Sequence, residues 1–319
     1  MADHDEFVRL AQAHRRELLA HCYQMLGSVD EAEDLVQETY LRAWRSYDTY
    51  EARASLRTWL YRIATNACLT AMEHRTRRPL PAGLGAPGTS PDEPVGAPAT
   101  DIPWLQPLPD VLVDPATVVS ARGSLRLAVV AALQHLPPRQ RAVLILREVL
   151  AWRAHEVADA LGTSTAAVKS TLQRARARLD EVAPEEDLVA EPSSVDERAL
   201  VDRYMAAFEY ADADGLARLL CDDVELDMPP YLVWFRGRKH VFGFMESKVL
   251  DAYPVARIHM VPVGANGQPA VAAYERGPDG VRRAHSVQLI TPQGDRIRRI
   301  TAFLDPGLFE RFGLPRVLD

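Results

Sequence analysis

Ala154-His-Glu-Val-Ala-Asp-Ala-Leu-Gly-Thr-Ser-Thr-Ala-Ala-Val-Lys-Ser-Thr-Leu-Gln-Arg-Ala-Arg-Ala-Arg-Leu179 is the stretch that decides how this chain of 319 residues is organised. It reads as two helices joined by a tight turn. Gly162 has no β-carbon to penalise the left-handed conformation at a helix end. Thr163 or Ser164 follows, and either caps the next helix by accepting backbone N–H bonds. In the second helix Val168, Leu172, Ala175 and Leu179 recur at spacings of four, three and four, which makes one buried stripe. The other face carries Thr165, Lys169, Ser170, Gln173, Arg174 and Arg176. A solvated amphipathic helix is common, but the glycine turn, the cap and the cationic face together mark a helix-turn-helix. Its second helix fits a DNA major groove, where Arg and Lys read guanine or hold phosphates and Gln reads adenine. Arg139, on the segment before it, is assigned to the same duplex-binding surface.

Working outward, helical periodicity covers residues from about 116 to 182, broken by Leu136-Pro-Pro and Gly162, so several short helices are expected. Before them, residues 79–115 hold ten prolines, four glycines, five acids and no base. That composition prevents regular helix and predicts an extended, mobile connector. Inside it Ile102-Pro-Trp-Leu-Gln-Pro-Leu-Pro is an apolar island, costly to leave wet, and is expected to dock. Residues 1–78 form a first helical domain in which Leu18, Cys22 and Met25, then Leu35, Tyr40, Leu41 and Trp44, read as core. A further boundary falls at about 183–194. Beyond it, helices are expected over 195–211 and 213–220. Period-two stretches follow at Val224–Met228, Ala256–Val261, Ala270–Tyr274 and Ala284–Ile290. Asn266-Gly267 and Asp279-Gly280 are turn signals between the later ones. The domain at 194–319 is therefore α+β with a mostly antiparallel sheet.

Composition narrows the function. With 47% hydrophobic and 25% charged residues and no apolar run near the roughly 20 residues of a membrane span, a soluble, cytoplasmic protein without membrane partners is expected. Cys22, Cys68 and Cys221 lie far apart and form neither a metal pair nor a disulfide framework, so no metal or cofactor is expected. The net charge of -7 argues against a nucleic-acid binder only in sum. Residues 30–38 hold five acids and no base, residues 53–78 six arginines and one acid, and residues 139–178 eight bases and three acids. Such segregation suits one basic protein partner and phosphate contacts elsewhere.

The acidic run is Asp30-Glu-Ala-Glu-Asp-Leu-Val-Gln-Glu-Thr-Tyr-Leu-Arg-Ala-Trp-Arg, followed by Ala54-Ser-Leu-Arg-Thr-Trp-Leu-Tyr-Arg-Ile-Ala-Thr-Asn-Ala-Cys-Leu. These two runs resemble the second conserved region of sigma factors, and Leu136-Pro-Pro-Arg-Gln-Arg-Ala-Val-Leu-Ile-Leu-Arg-Glu-Val-Leu resembles the entry to the fourth. With the intervening region replaced by the Pro-rich connector, the pattern is that of the extracytoplasmic-function group. The resemblance implies promoter-specific initiation with core RNA polymerase and promoter DNA as partners. Asp30, Glu31, Asp34, Gln37 and Glu38, with Glu33, offer a negative face to a basic polymerase helix. Arg53, Arg57, Arg62, Arg75, Arg77 and Arg78 offer phosphate neutralisation to a melted strand, Asn66 a base-edge contact, and Tyr47 and Tyr50 stacking. Trp44, Trp59 and Tyr61 are more simply core.

Tyr204-Met-Ala-Ala-Phe, Leu219-Leu-Cys-Asp-Asp-Val-Glu-Leu-Asp-Met-Pro-Pro and Trp234-Phe-Arg-Gly-Arg resemble the SnoaL-like branch of the nuclear-transport-factor-two (NTF2) fold, which implies a cone with a pocket. Asp227, Tyr231, Trp234, Arg236 and His285 are its candidate lining. An Asp–His pair abstracting a proton is one reading. The simpler one is a non-catalytic tail that docks on the helical regions, holds the connector or takes a small ligand, with an apolar surface around Phe303-Leu-Asp-Pro-Gly-Leu-Phe. An ordinary helix-turn-helix regulator with a ligand-binding tail is the alternative, and it leaves residues 30–78 unexplained.

Overall fold

The computed structural model describes residues 2–50, 55–73, 76–113, 122–182, 194–247 and 257–318. The chain forms two compact units, residues 1–78 with 105–189 and residues 79–104 with 190–319.

The helical unit begins with α1 (Ala2–Gln12), α2 (Arg15–Leu26), α3 (Val29–Ser46) and α4 (Leu56–Ala71). Gly27 ends α2 at φ 71° and donates its N–H to the Tyr23 carbonyl, and Ser28 caps α3 by accepting from the N–H of Glu31. The buried stripe of α3 is Val29, Ala32, Val36, Thr39 and Ala43. This corrects the expected core: Leu35 and Tyr40 are only half-buried, while Leu41 and Trp44 are exposed. Leu41 lies about 140° round the helix from Val36 at 3.6 residues per turn, so hydrophobic size alone misassigned the face. Trp59 and Tyr61 are buried as expected.

The second set comprises α5 (Arg122–Leu125), α6 (Leu127–Leu133), α7 (Pro138–Leu144), α8 (Ala154–Leu161) and α9 (Thr165–Val182), with a wide π turn over Ile145–Val149. Buried Arg141 on α7 holds the two sets together. Its guanidinium donates to the Met25 carbonyl of α2, to Gln134 Oε1 at 2.8 Å and to the Gln134 and Leu136 carbonyls, each at 3.2 Å. Tyr61 meets Trp152 edge-on at 6.3 Å. The last part of the connector also packs here. Leu105 and Leu108 are fully buried, Gln106 N–H donates to the Gly27 carbonyl, and Gln106 Oε1 accepts from the Ser28 hydroxyl and the Val29 N–H, both at 2.8 Å. Burying the two leucines contributes on the order of 2 kcal/mol each.

The C-terminal unit starts with α10 (Ser194–Glu209) and α11 (Ala213–Leu219). Strands β1 (Leu220–Asp227) and β2 (Trp234–Arg236), helix α12 (Arg238–Met245), and strands β3 (Ile258–Ala265), β4 (Gln268–Arg276), β5 (Arg282–Gln293) and β6 (Arg296–Phe303) follow. Helix α13 (Leu308–Arg311) and β7 (Val317–Leu318) close it. The sheet order is β2-β1-β6-β5-β4-β3, with β7 on β5, and β1–β6 is the parallel pair among antiparallel ones. Asn266 and Gly267 turn β3 into β4 with φ values of 57° and 63°, the two left-handed residues a type I′ hairpin needs. The expected apolar surface at 303–309 is a correction: Phe303, Leu308 and Phe309 are buried, Phe309 edge-on to Tyr274. Those side chains fill the end of the core instead of facing out.

Residues 79–104 are wrapped onto this unit rather than left free. Ala82 N–H donates to Asp227 Oδ1 at 2.8 Å, the Trp234 indole to the Gly85 carbonyl at 3.0 Å, and Gly88 N–H to the Trp234 carbonyl at 2.7 Å. Gly88 lies parallel to Phe235, and a β-carbon there would sit 2.6 Å from its ring, so only glycine allows the approach. Ala99 N–H donates to the Pro230 carbonyl at 2.9 Å. The connector is extended, as proline content demands, yet held by hydrogen bonds, which corrects its expected mobility.

Candidate functional site

The helix-turn-helix is built as its local chemistry dictates. Gly162 ends α8 with φ 59° and ψ 46°, and Ser164 Oγ accepts from the Ala167 N–H at 3.1 Å to start α9. Val168, Leu172 and Ala175 are buried and Leu179 half-buried. Thr165, Lys169, Ser170, Gln173, Arg174 and Arg176 are all exposed on α9, and Arg139 is exposed on α7. Two of the cations are not equally available. Among the described residues Arg174 reaches only Thr171 Oγ1, at 3.2 Å, whereas Arg176 is paired with Glu148 at 2.6 Å.

The second cationic face lies on α4. Arg62 and Asn66 are exposed, and Asn66 Nδ2 donates to the Arg62 carbonyl at 2.9 Å and to the Ala160 carbonyl of α8 at 3.3 Å. Arg57 lies 4.9 Å over the Tyr61 ring and is paired with Glu17 at 2.8 Å. Burial and the Glu17 carboxylate push the Tyr61 phenol well above its ordinary range, burial first. Tyr47 and Tyr50 stack at 6.2 Å, Tyr50 stacks on Trp59 at 4.8 Å, and Phe7 meets Tyr47 at 4.8 Å. The result is a run of aromatic faces beside the arginines. Arg53 and Arg75 lie outside the described residues. Arg77 donates to the His135 ring, and Arg78 pairs with Glu31 at 2.7 Å, so those two serve contacts within the unit.

On α3, Asp34 and Gln37 are exposed, while the other expected acids have partners: Asp30 accepts from Gln106 Nε2 at 2.8 Å, Glu31 from Arg78, and Glu38 from Arg42 at 2.7 Å. Leu41 and Trp44 complete the same exposed flank, 52% and 39% accessible. Sequence reasoning missed them because apolar residues were assigned to the core by type. The spacing of Asp34, Gln37, Leu41 and Trp44, three, four and three, was the signal that they share one face.

The candidate pocket of the C-terminal unit is only partly as expected. Tyr231 and His285 line its cavity of about 340 Å³; Asp227, Trp234 and Arg236 do not. Asp227 is fully buried and holds the connector, its other oxygen 3.9 Å from Arg299. Burial raises its pKa, and Arg299 opposes that. Trp234 holds Gly85, and Arg236 is tied to Glu225 and stacked on Trp234. An Asp227–His285 catalytic pair is therefore not assembled. Tyr204, Ser286 and Gln288 line the cavity instead. The signal for Ser286 and Gln288 was two polar residues at period-two positions in an apolar strand. Among the described residues no group of His, Cys, Asp and Glu could hold a metal ion, and no helix is long and apolar enough to cross a membrane.

With this geometry in hand, the comparisons are specific. The Sigma-70 region 2 family matches residues 10–78, and Sigma-70, region 4 matches residues 126–179. The ECF RNA polymerase sigma factor SigG of Mycobacterium tuberculosis is 49% identical over 314 residues, covering 97% of this chain and 84% of SigG. The probable ECF RNA polymerase sigma factor SigI of the same organism is 26% identical over 322 residues, 97% of each. The crystal structure of the M. tuberculosis extracytoplasmic function sigma factor SigJ matches with a TM-score of 0.64 and 25% identity, over 97% of this chain and 99% of that one.

Proposed function

Because this chain belongs to the extracytoplasmic-function sigma factors of RNA polymerase, we propose a division of labour among its faces. The protein binds core RNA polymerase and directs promoter-specific initiation. In the proposed division α9 reads duplex promoter DNA through Lys169, Ser170, Gln173 and Arg174. Tyr47, Tyr50, Arg57, Arg62 and Asn66 take the melted strand, and Asp34, Gln37, Leu41 and Trp44 meet the polymerase. The observation that carries it is α9 itself, whose apolar stripe is buried while its polar and cationic face is turned outward. The NTF2-like tail, in this reading, has no catalytic task. It holds residues 79–104 and so sets how readily the factor is engaged, in the cytoplasm where polymerase works.

The test is run-off transcription by core polymerase on genomic fragments with wild-type protein, with no factor, and with Trp44→Arg, Arg174→Ala and Asp227→Ala variants. Initiation is expected with wild type alone among the first two. Trp44→Arg is expected to lose polymerase association, and Arg174→Ala to lose promoter output with that association intact. Asp227→Ala is expected to change output at the same promoters. Initiation at none of them by the wild type would favour a helix-turn-helix regulator instead.

A further inference from the structure

The cavity of the C-terminal unit has features that holding the connector does not use. Its walls include Phe208, Met228, Phe244, Met260 and Ile300, and its volume of about 340 Å³ is at the small end of the roughly 300–1,000 Å³ of ligand cavities. Its polar groups form a chain with one direction. The Tyr204 hydroxyl donates to Gln288 Oε1 at 2.7 Å, and Gln288 Nε2 donates to Ser286 Oγ at 3.1 Å. Ser286 is fully buried and ends the chain, so its own hydroxyl hydrogen is left as a donor with no acceptor among the described residues. Donation along such a chain strengthens the terminal donor, and a buried donor left unpaired is costly.

His285 enters through an irregularity of the sheet. Ala273 pairs with Ser286 and Tyr274 with Ala284, so His285 is the extra residue of a β-bulge, a device that re-aims a side chain. Its ring lies 3.9 Å from Glu275, which Arg257 holds at 2.8 Å. Burial lowers its pKa against the pull of Glu275 and favours the neutral ring, which carries one N–H on either Nδ1 or Nε2. Among the described residues no Lys, Arg, Asp or Glu lines the cavity, so none of them would partner a charged ligand group desolvated there.

We propose that this cavity binds a neutral, largely apolar small molecule whose ketone or ester carbonyl accepts from Ser286 and His285, and that Val95 and Gly96 of the connector form part of the wall. Both residues line the cavity, and Val95 packs against the unit's core. Occupancy and connector seating are therefore linked. That link rests on the regulatory reading above; the binding does not.

The probe is prodan, a neutral naphthyl ketone whose emission moves to the blue in apolar surroundings, titrated into the full-length protein. A saturable one-to-one blue shift is expected. Ser286→Ala should weaken it about tenfold, the loss of one hydrogen bond, with cooperative unfolding retained although Gln288 Nε2 loses its acceptor, and Ala273→Phe, which fills the cavity, should abolish it. No saturable shift with the wild type, or the same affinity in Ser286→Ala, overturns the proposal. For the link, an endopeptidase that cuts before aspartate should cleave the connector at Thr100–Asp101 several-fold faster or slower when prodan is present. An unchanged rate overturns the link and leaves run-off initiation, the test of the sigma reading, untouched.

Discussion

The side-chain amide of Asn66 on α4 donates to the carbonyl oxygen of Ala160 on α8, 94 residues further along the chain. A residue assigned to the melted strand is thus in contact with the first helix of the duplex-binding motif. In the proposed division the Asn66 amide nitrogen must leave Ala160 before it can meet a base, which a turn of its side chain or a parting of the two helical sets would allow. Arg141 and the Tyr61–Trp152 contact oppose that parting.

Arg141→Met is expected to lower the unfolding free energy by about 2–4 kcal/mol, because the Met25, Gln134 and Leu136 acceptors lose their donor in a buried place. Burial lowers the arginine pKa to about 10, which leaves it charged at neutral pH. Urea denaturation checks this; an unchanged midpoint would mean that packing alone joins the helical sets.

Lys169→Ala and Arg174→Ala are each expected to weaken duplex binding and to reduce the salt slope by about one. Arg176→Ala should do less, since its guanidinium is already paired with Glu148. Fluorescence anisotropy at several salt concentrations measures the slopes. An equal effect of all three would show that the Glu148 pair opens freely on DNA.

Acid should weaken the helical unit through His21. Full burial lowers its pKa to about 4, with Thr65 Oγ1 at 2.9 Å from Nε2 and Nδ1 without a partner among the described residues. The folded pKa lies below the unfolded value of 6.5, so the unfolded chain binds the proton more readily. The stability held above pH 6.5 is therefore lost as pH falls towards 4. Between pH 7.5 and pH 5 the loss is about 2 kcal/mol. His21→Gln should flatten that part of the pH profile in urea unfolding, and an unflattened profile would assign the loss to other groups.

Asp227→Ala is expected to loosen the connector, since Ala82 N–H loses its acceptor. Cleavage of the connector at Thr100–Asp101 by an endopeptidase that cuts before aspartate should rise several-fold. Asp227→Asn, which keeps an oxygen acceptor and no charge, should cleave near the wild-type rate. If Asn behaved like Ala, the carboxylate's attraction to Arg299, and not the Ala82 bond, would be what holds the connector.

Local signals were the legible ones. Gly162, the α9 stripe and Asn266-Gly267 act over a turn or two of chain, and each lies where its chemistry requires. Distant partners were not legible. Arg296-Ile-Arg-Arg-Ile-Thr-Ala-Phe303 is too charged to announce a strand, and it becomes one by pairing with β1 on one side and β5 on the other. Asp227 looked like a pocket acid because nothing near it in sequence reveals Ala82, 145 residues away, as its partner. Leu41 and Trp44 were misread for a related reason: residue type suggested burial, but the close approach of α3 to its neighbours selected the face with Ala32 and Ala43.

Gln106 occupies the start of α3, taking the Val29 N–H and giving its amide to Asp30. A helix start bound in this way has only one seat. Were Asp30 to turn to a basic helix of polymerase, it would give up Gln106 Nε2, while the bonds of Gln106 to Gly27, Ser28 and Val29 would keep the seat filled. The connector would keep its seat were a partner to arrive at Asp30, and one glutamine side chain holds the end of α3 in either state.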